Sequence, residues 1–178
     1  MKTIGTFFVL MIVCSAIHGQ QKKRTWVASV NGGAFLSISN ISIEKAFTNR
    51  STVSLIPSFG YFRSEQFTYK TFGIGTEYRY YFQKQKIAPY GYYAAAGVSF
   101  ANGRADIETS ARIFDAKGYT TQAVAGKHWI FKKGFTIDAH LGIQYVGLKV
   151  KERVEQKPLE QSYNWILPAF GAGVGYAF

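Results

Sequence analysis

The chain has 178 residues, is 17% aromatic and 17% charged, and carries a formal net charge of +11. That length leaves room for one domain, and its one cysteine, Cys14, excludes a disulfide framework. Beyond the N-terminal segment no apolar run approaches the roughly 18 residues that would suggest a membrane helix.

Residues 1–19 join a positive start (Lys2), an apolar run from Ile4 to Ile17 and a small residue, Gly19. This is the layout of a secretory signal peptide, too short to span a bilayer as a helix. Cleavage is expected after Gly19, leaving residues 20–178 as a single β-barrel domain. Cys14 would be lost with the signal, so no thiolate chemistry is expected of the mature chain.

Period-two alternation recurs after that point and period-3.6 patterning does not. Trp26, Ala28 and Val30 alternate with Val27, Ser29 and Asn31. Ile41, Ile43 and Phe47 alternate with Ser42, Glu44 and Ala46. Further strands run from Thr52 to Tyr61, Phe72 to Phe82, Tyr90 to Ala101, Tyr119 to Phe131 and Phe135 to Tyr145. The last, Asn164 to Phe178, sets Ile166, Pro168, Phe170, Ala172, Val174, Tyr176 and Phe178 against a face that is almost bare near its end. Eight strands is an even number, as closure of a bacterial outer-membrane barrel usually requires. In the sixth strand Lys127 shares a face with Trp129 and Phe131, where an apolar residue is expected, and the phase of that strand stays open.

The connections alternate in length. Residues 48–50, 83–89 and 132–134 form short links, while 63–70, 102–118 and 149–163 are mostly longer and polar. Outer-membrane barrels have short periplasmic turns and longer outer loops, so Phe178 falls at the periplasmic end. The link near residues 35–39 is short and apolar and fits this scheme least well. The periplasmic segments then hold Lys22, Lys23, Arg24, Arg50, Lys84, Lys86, Lys132 and Lys133 with no acid among them. Most of the excess charge is thus a ring at one rim, where lipid phosphates are the natural counter-ions. Nucleic-acid binding would need a basic face with exposed aromatics interleaved; here the aromatics lie on the apolar faces, so no nucleic-acid partner is expected.

A soluble eight-stranded calyx would turn the apolar face inward. The bulky face is the apolar one, whereas Gly, Ala and Ser crowd the other, as suits the tight interior of an eight-stranded barrel. Trp26, Tyr80, Phe82, Tyr90, Trp129, Phe131, Tyr176 and Phe178 gather towards strand ends, as interfacial girdles do. With this phase Glu44, Glu77, Arg79, Asp138 and His140 point inward, within about six residues of periplasmic turns, and His128 joins them in the phase of the sixth strand that turns Lys127 outward. They form one charged layer across the lower barrel. Such a set could serve acid/base or metal chemistry. The favoured reading is a plug that satisfies buried charge, with no metal, cofactor or catalysis. The alternatives are an enzyme acting on lipid or a small periplasmic substrate through His128, Asp138 and His140, or a narrow pore.

The terminal pattern Phe170, Ala172, Val174, Tyr176, Phe178 resembles the C-terminal signal by which barrels are recognised for insertion into the Gram-negative outer membrane. Together with NISIEKAF, FGIGTEYRYYF, GYYAAAGVSF and AVAGKHWIFKKGFTIDAHLGIQY, it resembles small barrels of a domain-of-unknown-function family in the OmpA/OmpX-like class. The resemblance implies an eight-stranded antiparallel up-and-down transmembrane β-barrel in the outer membrane. Its implied partners are outer-membrane lipids and, during insertion, the barrel-assembly machinery. A surface or envelope partner is expected at the outer loops 102–118 and 149–163. The resemblance carries no catalytic residues, and no residues remain for a peptidoglycan-binding domain like that of OmpA.

Overall fold

The computed structural model describes residues 24–33, 39–83, 88–107, 112–153 and 160–178. Residues 1–23, 34–38, 84–87, 108–111 and 154–159 lie outside these, and with them the expected signal segment and Lys22, Lys23, Lys84 and Lys86 of the expected cation ring. Eight strands make up the wall: β1 (Trp26–Gly33), β2 (Ser39–Ala46), β3 (Ser51–Arg63), β4 (Phe67–Tyr81), β5 (Gly91–Ile107), β6 (Arg112–Ile130), β7 (Phe135–Arg153) and β8 (Glu160–Ala177). Each pairs antiparallel with its sequence neighbour, and β8 returns to β1 to close the barrel. At the seam Val27 stands opposite Ala177 and Gly33 opposite Gly171. Closure removes both free sheet edges, the arrangement that lets β-structure stand where no water can satisfy its backbone.

The alternation decides which way each side chain faces. Ile166, Leu141, Phe72 and Ile143 are 76%, 71%, 62% and 61% exposed, all on the outer surface. The glycine-rich set opposite lines the lumen, so the calyx arrangement is excluded. Two bulky side chains interrupt that small-residue lining. Tyr81 and Tyr93, at 0% and 1% exposure, fill the lower lumen with ring centroids 5.4 Å apart. Gly126 makes room for the second of them, since a Cβ there would stand 2.6 Å from the Tyr93 ring and 2.7 Å from the Ala139 carbonyl. A Gly126→Val barrel should therefore lose about 1–3 kcal/mol to overpacking, read as a lower urea midpoint of the refolded protein.

The sixth strand resolves in the phase that puts His128 inside. Lys127 faces outward, its ammonium 4.4 Å from the Tyr92 ring centroid and 5.1 Å from that of Trp129, and it donates to the Tyr92 hydroxyl. Lys45 does the same on the other side of the barrel, 4.8 Å from the Trp26 ring. Both are long stems laid over aromatics near the rim, with the charge carried to its edge. They add to the cations expected at that rim, of which Arg24 ties the seam to the β6–β7 turn by donating to the carbonyls of Phe131 and Lys132. That turn bends at Gly134, whose φ of +99° favours glycine.

One expectation is corrected. The stretches 102–118 and 149–163 are not loops over most of their length. β5 and β6 stay paired up to Ile107 and Arg112, and β7 and β8 up to Lys151 and Glu160. β4 likewise begins at Phe67, leaving only residues 64–66 as the β3–β4 turn. Polarity on one face concealed the alternation, because Asn102, Arg104 and Asp106 replace the apolar residues below them while the inner face continues. At 19 residues, β6 and β7 run well past the 9–11 that a tilted strand needs to cross a bilayer. β1 and β2 have eight each, so the upper rim is high on the β5–β8 side and low on the other.

Candidate charge layer in the lower lumen

The three inward carboxylates expected from the sequence converge on the Arg79 guanidinium, and the two histidines reach the layer through those carboxylates. Arg79 on β4 donates through Nε to Glu77 Oε1 at 2.6 Å. Its Nη1 reaches Asp138 Oδ2 on β7 at 3.0 Å and Glu44 Oε2 on β2 at 3.3 Å. These four side chains are no more than 6% exposed. Glu77 and Arg79 share a face because they are two residues apart on one strand. Glu44 and Asp138 arrive from across the bore because eight strands make a lumen only one or two side chains wide.

The remaining carboxylate oxygens are also occupied. Glu44 Oε1 accepts from Thr52 Oγ1 at 2.6 Å and from the Tyr81 hydroxyl at 2.8 Å. Glu77 Oε2 accepts from Gln122 Nε2 at 2.7 Å, and Asp138 Oδ1 from the Tyr93 hydroxyl at 2.9 Å. His140 Nδ1 stands 3.2 Å from the same Asp138 oxygen. His128 is 2% exposed, with Nδ1 3.4 Å from the Tyr81 hydroxyl and 3.7 Å from Glu44 Oε2. The Arg79 guanidinium also lies over the Tyr93 ring, 4.6 Å from its centroid. A partner for each carboxylate oxygen makes buried charge tolerable in a low-dielectric bore.

Sequence reasoning did not single out Tyr81, Tyr93, Thr52 or Gln122. A large phenol on a face otherwise built of Gly and Ala was the available signal for the tyrosines. The Asp138–His140 pair has the form of a base with its orienting carboxylate, but Asp138 is pinned by Arg79 and Tyr93 as well. Among the described residues no three His, Cys, Asp or Glu side chains are placed to hold a metal ion.

Above the layer the lumen opens into a cavity of about 230 Å3 whose floor is Glu77, Arg79, Gln122 and His140. The His140 ring passes over Gly171, where a Cβ would stand 2.8 Å from Nε2.

The other four expected positions lie on the outside of β8 and at its end. Phe170, Val174 and Phe178 are 53%, 54% and 49% exposed, and Tyr176 is half-buried across from Phe135 and Ala28. The backbone of Phe178 completes the seam, its N–H donating to the Trp26 carbonyl at 2.9 Å and its carbonyl accepting from Trp26 at 3.1 Å.

A closed eight-stranded antiparallel barrel with an apolar exterior and a cross-braced charged bore defines the class: a small barrel of the transmembrane type. Solved structures of similar fold include that of Acinetobacter baumannii CarO, at a TM-score of 0.52 and 10% identity, covering 90% of this chain and 100% of that one. The outer membrane protein AlkL, determined in DMPC lipid bilayers, is similar at a TM-score of 0.52 and 15% identity, covering 92% of this chain and 94% of that one. No curated protein sequence matches significantly. Residues 6–176 match the family described as "Protein of unknown function (DUF3575)", and the chain belongs to that family.

Proposed function

We propose that the protein is an integral outer-membrane barrel, exported by its signal segment, whose bore is closed by the charge layer. Its role is structural or one of surface interaction, and no catalysis is assigned to it. The carrying observation is Arg79, which bonds carboxylates from β2, β4 and β7 at once with every partner buried. A path for hydrated ions would have to break that junction. The apolar exterior supports membrane insertion, as does the cation ring, whose counter-ions would be lipid phosphates. The similarity in fold to an outer membrane protein studied in bilayers supports the same placement. The charged outer face of the β5–β8 extension is the surface offered to an envelope partner.

Planar-bilayer recording tests the plug. Chain purified from outer-membrane fractions should insert and show no steady conductance. Stable single-channel steps would establish the pore reading instead.

A further inference from the structure

We propose that the upper cavity is a binding site for a small apolar molecule ending in a hydrogen-bond donor or a cation. This rests on the membrane reading above, which makes the upper strand ends a part of the barrel outside the bilayer.

The observation is an inversion of polarity along the strands. In the lower two thirds the outward face is apolar and the inward face small, polar or charged. Above Phe100 and Tyr145 the outward face turns charged from β4 to β8 and the inward face turns apolar on β6 to β8, while Asn31, Asn40, Tyr69 and Thr71 keep the opposite wall polar. The outward face becomes the cross-strand rows Asn102, Lys117, Lys149 and Lys70, Arg104, Asp115, Lys151, Glu160. The inward face becomes Ala116 opposite Val150, with Leu148 opposite Tyr163 and Val146 opposite Trp165. A solvated hairpin needs no such inner face. Tyr163 and Trp165 are 40% and 42% exposed there, stacked with centroids 5.4 Å apart and planes 3° from parallel. Apolar side chains gathered on the concave side of a mouth, with charge on the convex side, are the pattern of a ligand pocket.

The ligand's chemistry follows from the two ends of the cavity. Its walls include Ala116, Val146, Leu148 and Leu167, and its floor is the charge layer. About 230 Å3, against the roughly 150 Å3 of a cavity that accepts benzene, holds a molecule of about two fused rings. At the floor Arg79 gives Nε and Nη1 to three carboxylates. Three carboxylates against one guanidinium leave an excess of carboxylate in the layer. His140 lines the cavity as well, its Nδ1 held 3.2 Å from the Asp138 carboxylate. That excess of carboxylate at the floor favours an amino end over a carboxylate or phosphate.

The test uses full-length protein in phosphatidylcholine nanodiscs, with Trp26→Phe and Trp129→Phe leaving Trp165 as the one remaining indole of the three. Quenching of Trp165 by 1-naphthylamine should saturate. It should be at least tenfold weaker in apparent affinity for 1-naphthoate. The same loss is expected with Leu148→Lys, which charges the wall, and with Ala116→Phe, which fills the space without charge and covers the case in which the lysine variant fails to fold. Quenching that rises linearly and is unaffected by either variant is partition into lipid and overturns the proposal. Equal affinity for the naphthoate overturns the assigned chemistry. A conducting barrel would remove the plug and leave a saturable site standing; non-saturable quenching would remove the site and leave the plug.

Discussion

Replacing Arg79 with Met should cost the barrel about 3–5 kcal/mol, the usual penalty for leaving buried charge without its partner. The expected result is a refolded protein whose urea midpoint falls sharply and whose heat-modifiable band on gels is lost at lower temperature. The size of the effect follows from the arithmetic of the layer. Glu44, Glu77 and Asp138 share one guanidinium, so its removal leaves three carboxylates facing one another across a bore from which water is largely excluded. The neutral donors Thr52, Tyr81, Tyr93 and Gln122 would remain in place. They satisfy lone pairs but cancel no charge.

Removing the carboxylates together with the arginine distinguishes a charge network from ordinary packing. Glu44→Gln, Glu77→Gln and Asp138→Asn together in the Arg79→Met background should recover most of the loss, because replacing a whole buried network by neutral groups is often close to harmless. The coupling in that cycle should exceed about 1 kcal/mol, beyond what independent sites show. Arg79→Met within about 1 kcal/mol of the parent would mean that the layer does not brace the wall.

The layer was legible in the sequence for a specific reason. In a strand the side-chain period is two, so once the bulky face was assigned to the exterior, Glu44, Glu77, Arg79, Asp138 and His140 had to point inward. Their distance from the short turns then set their height. His128 followed only when the phase of its strand was known, and Lys127 had obscured that phase. The structure shows why a lysine can stand on the outer face there: at the rim its ammonium lies over Tyr92 and Trp129, a contact that hydrophobicity alone does not encode. The upper hairpins were misjudged because polarity was taken as the mark of a loop. Arg104 opposite Asp115 and Asp115 opposite Lys151 are cross-strand neighbours, and opposite charges in such pairs support a ladder. The alternation of Ala105, Ile107, Phe114, Ala116, Leu148 and Val150 with those charges was present in the chain, with its apolar face reversed relative to the bilayer zone.

Phe178→Asp should separate assembly in the cell from stability of the finished barrel. The side chain is half exposed on the outer surface at the seam, while the hydrogen bonds to Trp26 are made by its backbone. Aspartate keeps that backbone. A charge on the lipid face close to the interface costs only about 0–1 kcal/mol, against about 2–4 for Arg or Lys at the midplane. Protein refolded in detergent should therefore unfold within about 1 kcal/mol of the parent. If the outward set Phe170, Val174, Tyr176 and Phe178 is what the assembly machinery reads, the yield from outer-membrane fractions should fall at least tenfold, with the chain accumulating in the periplasm. Deleting Phe178 would confound the two effects, because it also removes the paired backbone, so the substitution is the sharper instrument. Normal heat-modifiable migration of the aspartate variant from outer-membrane fractions would show that the terminal pattern is only the apolar face of a closing strand.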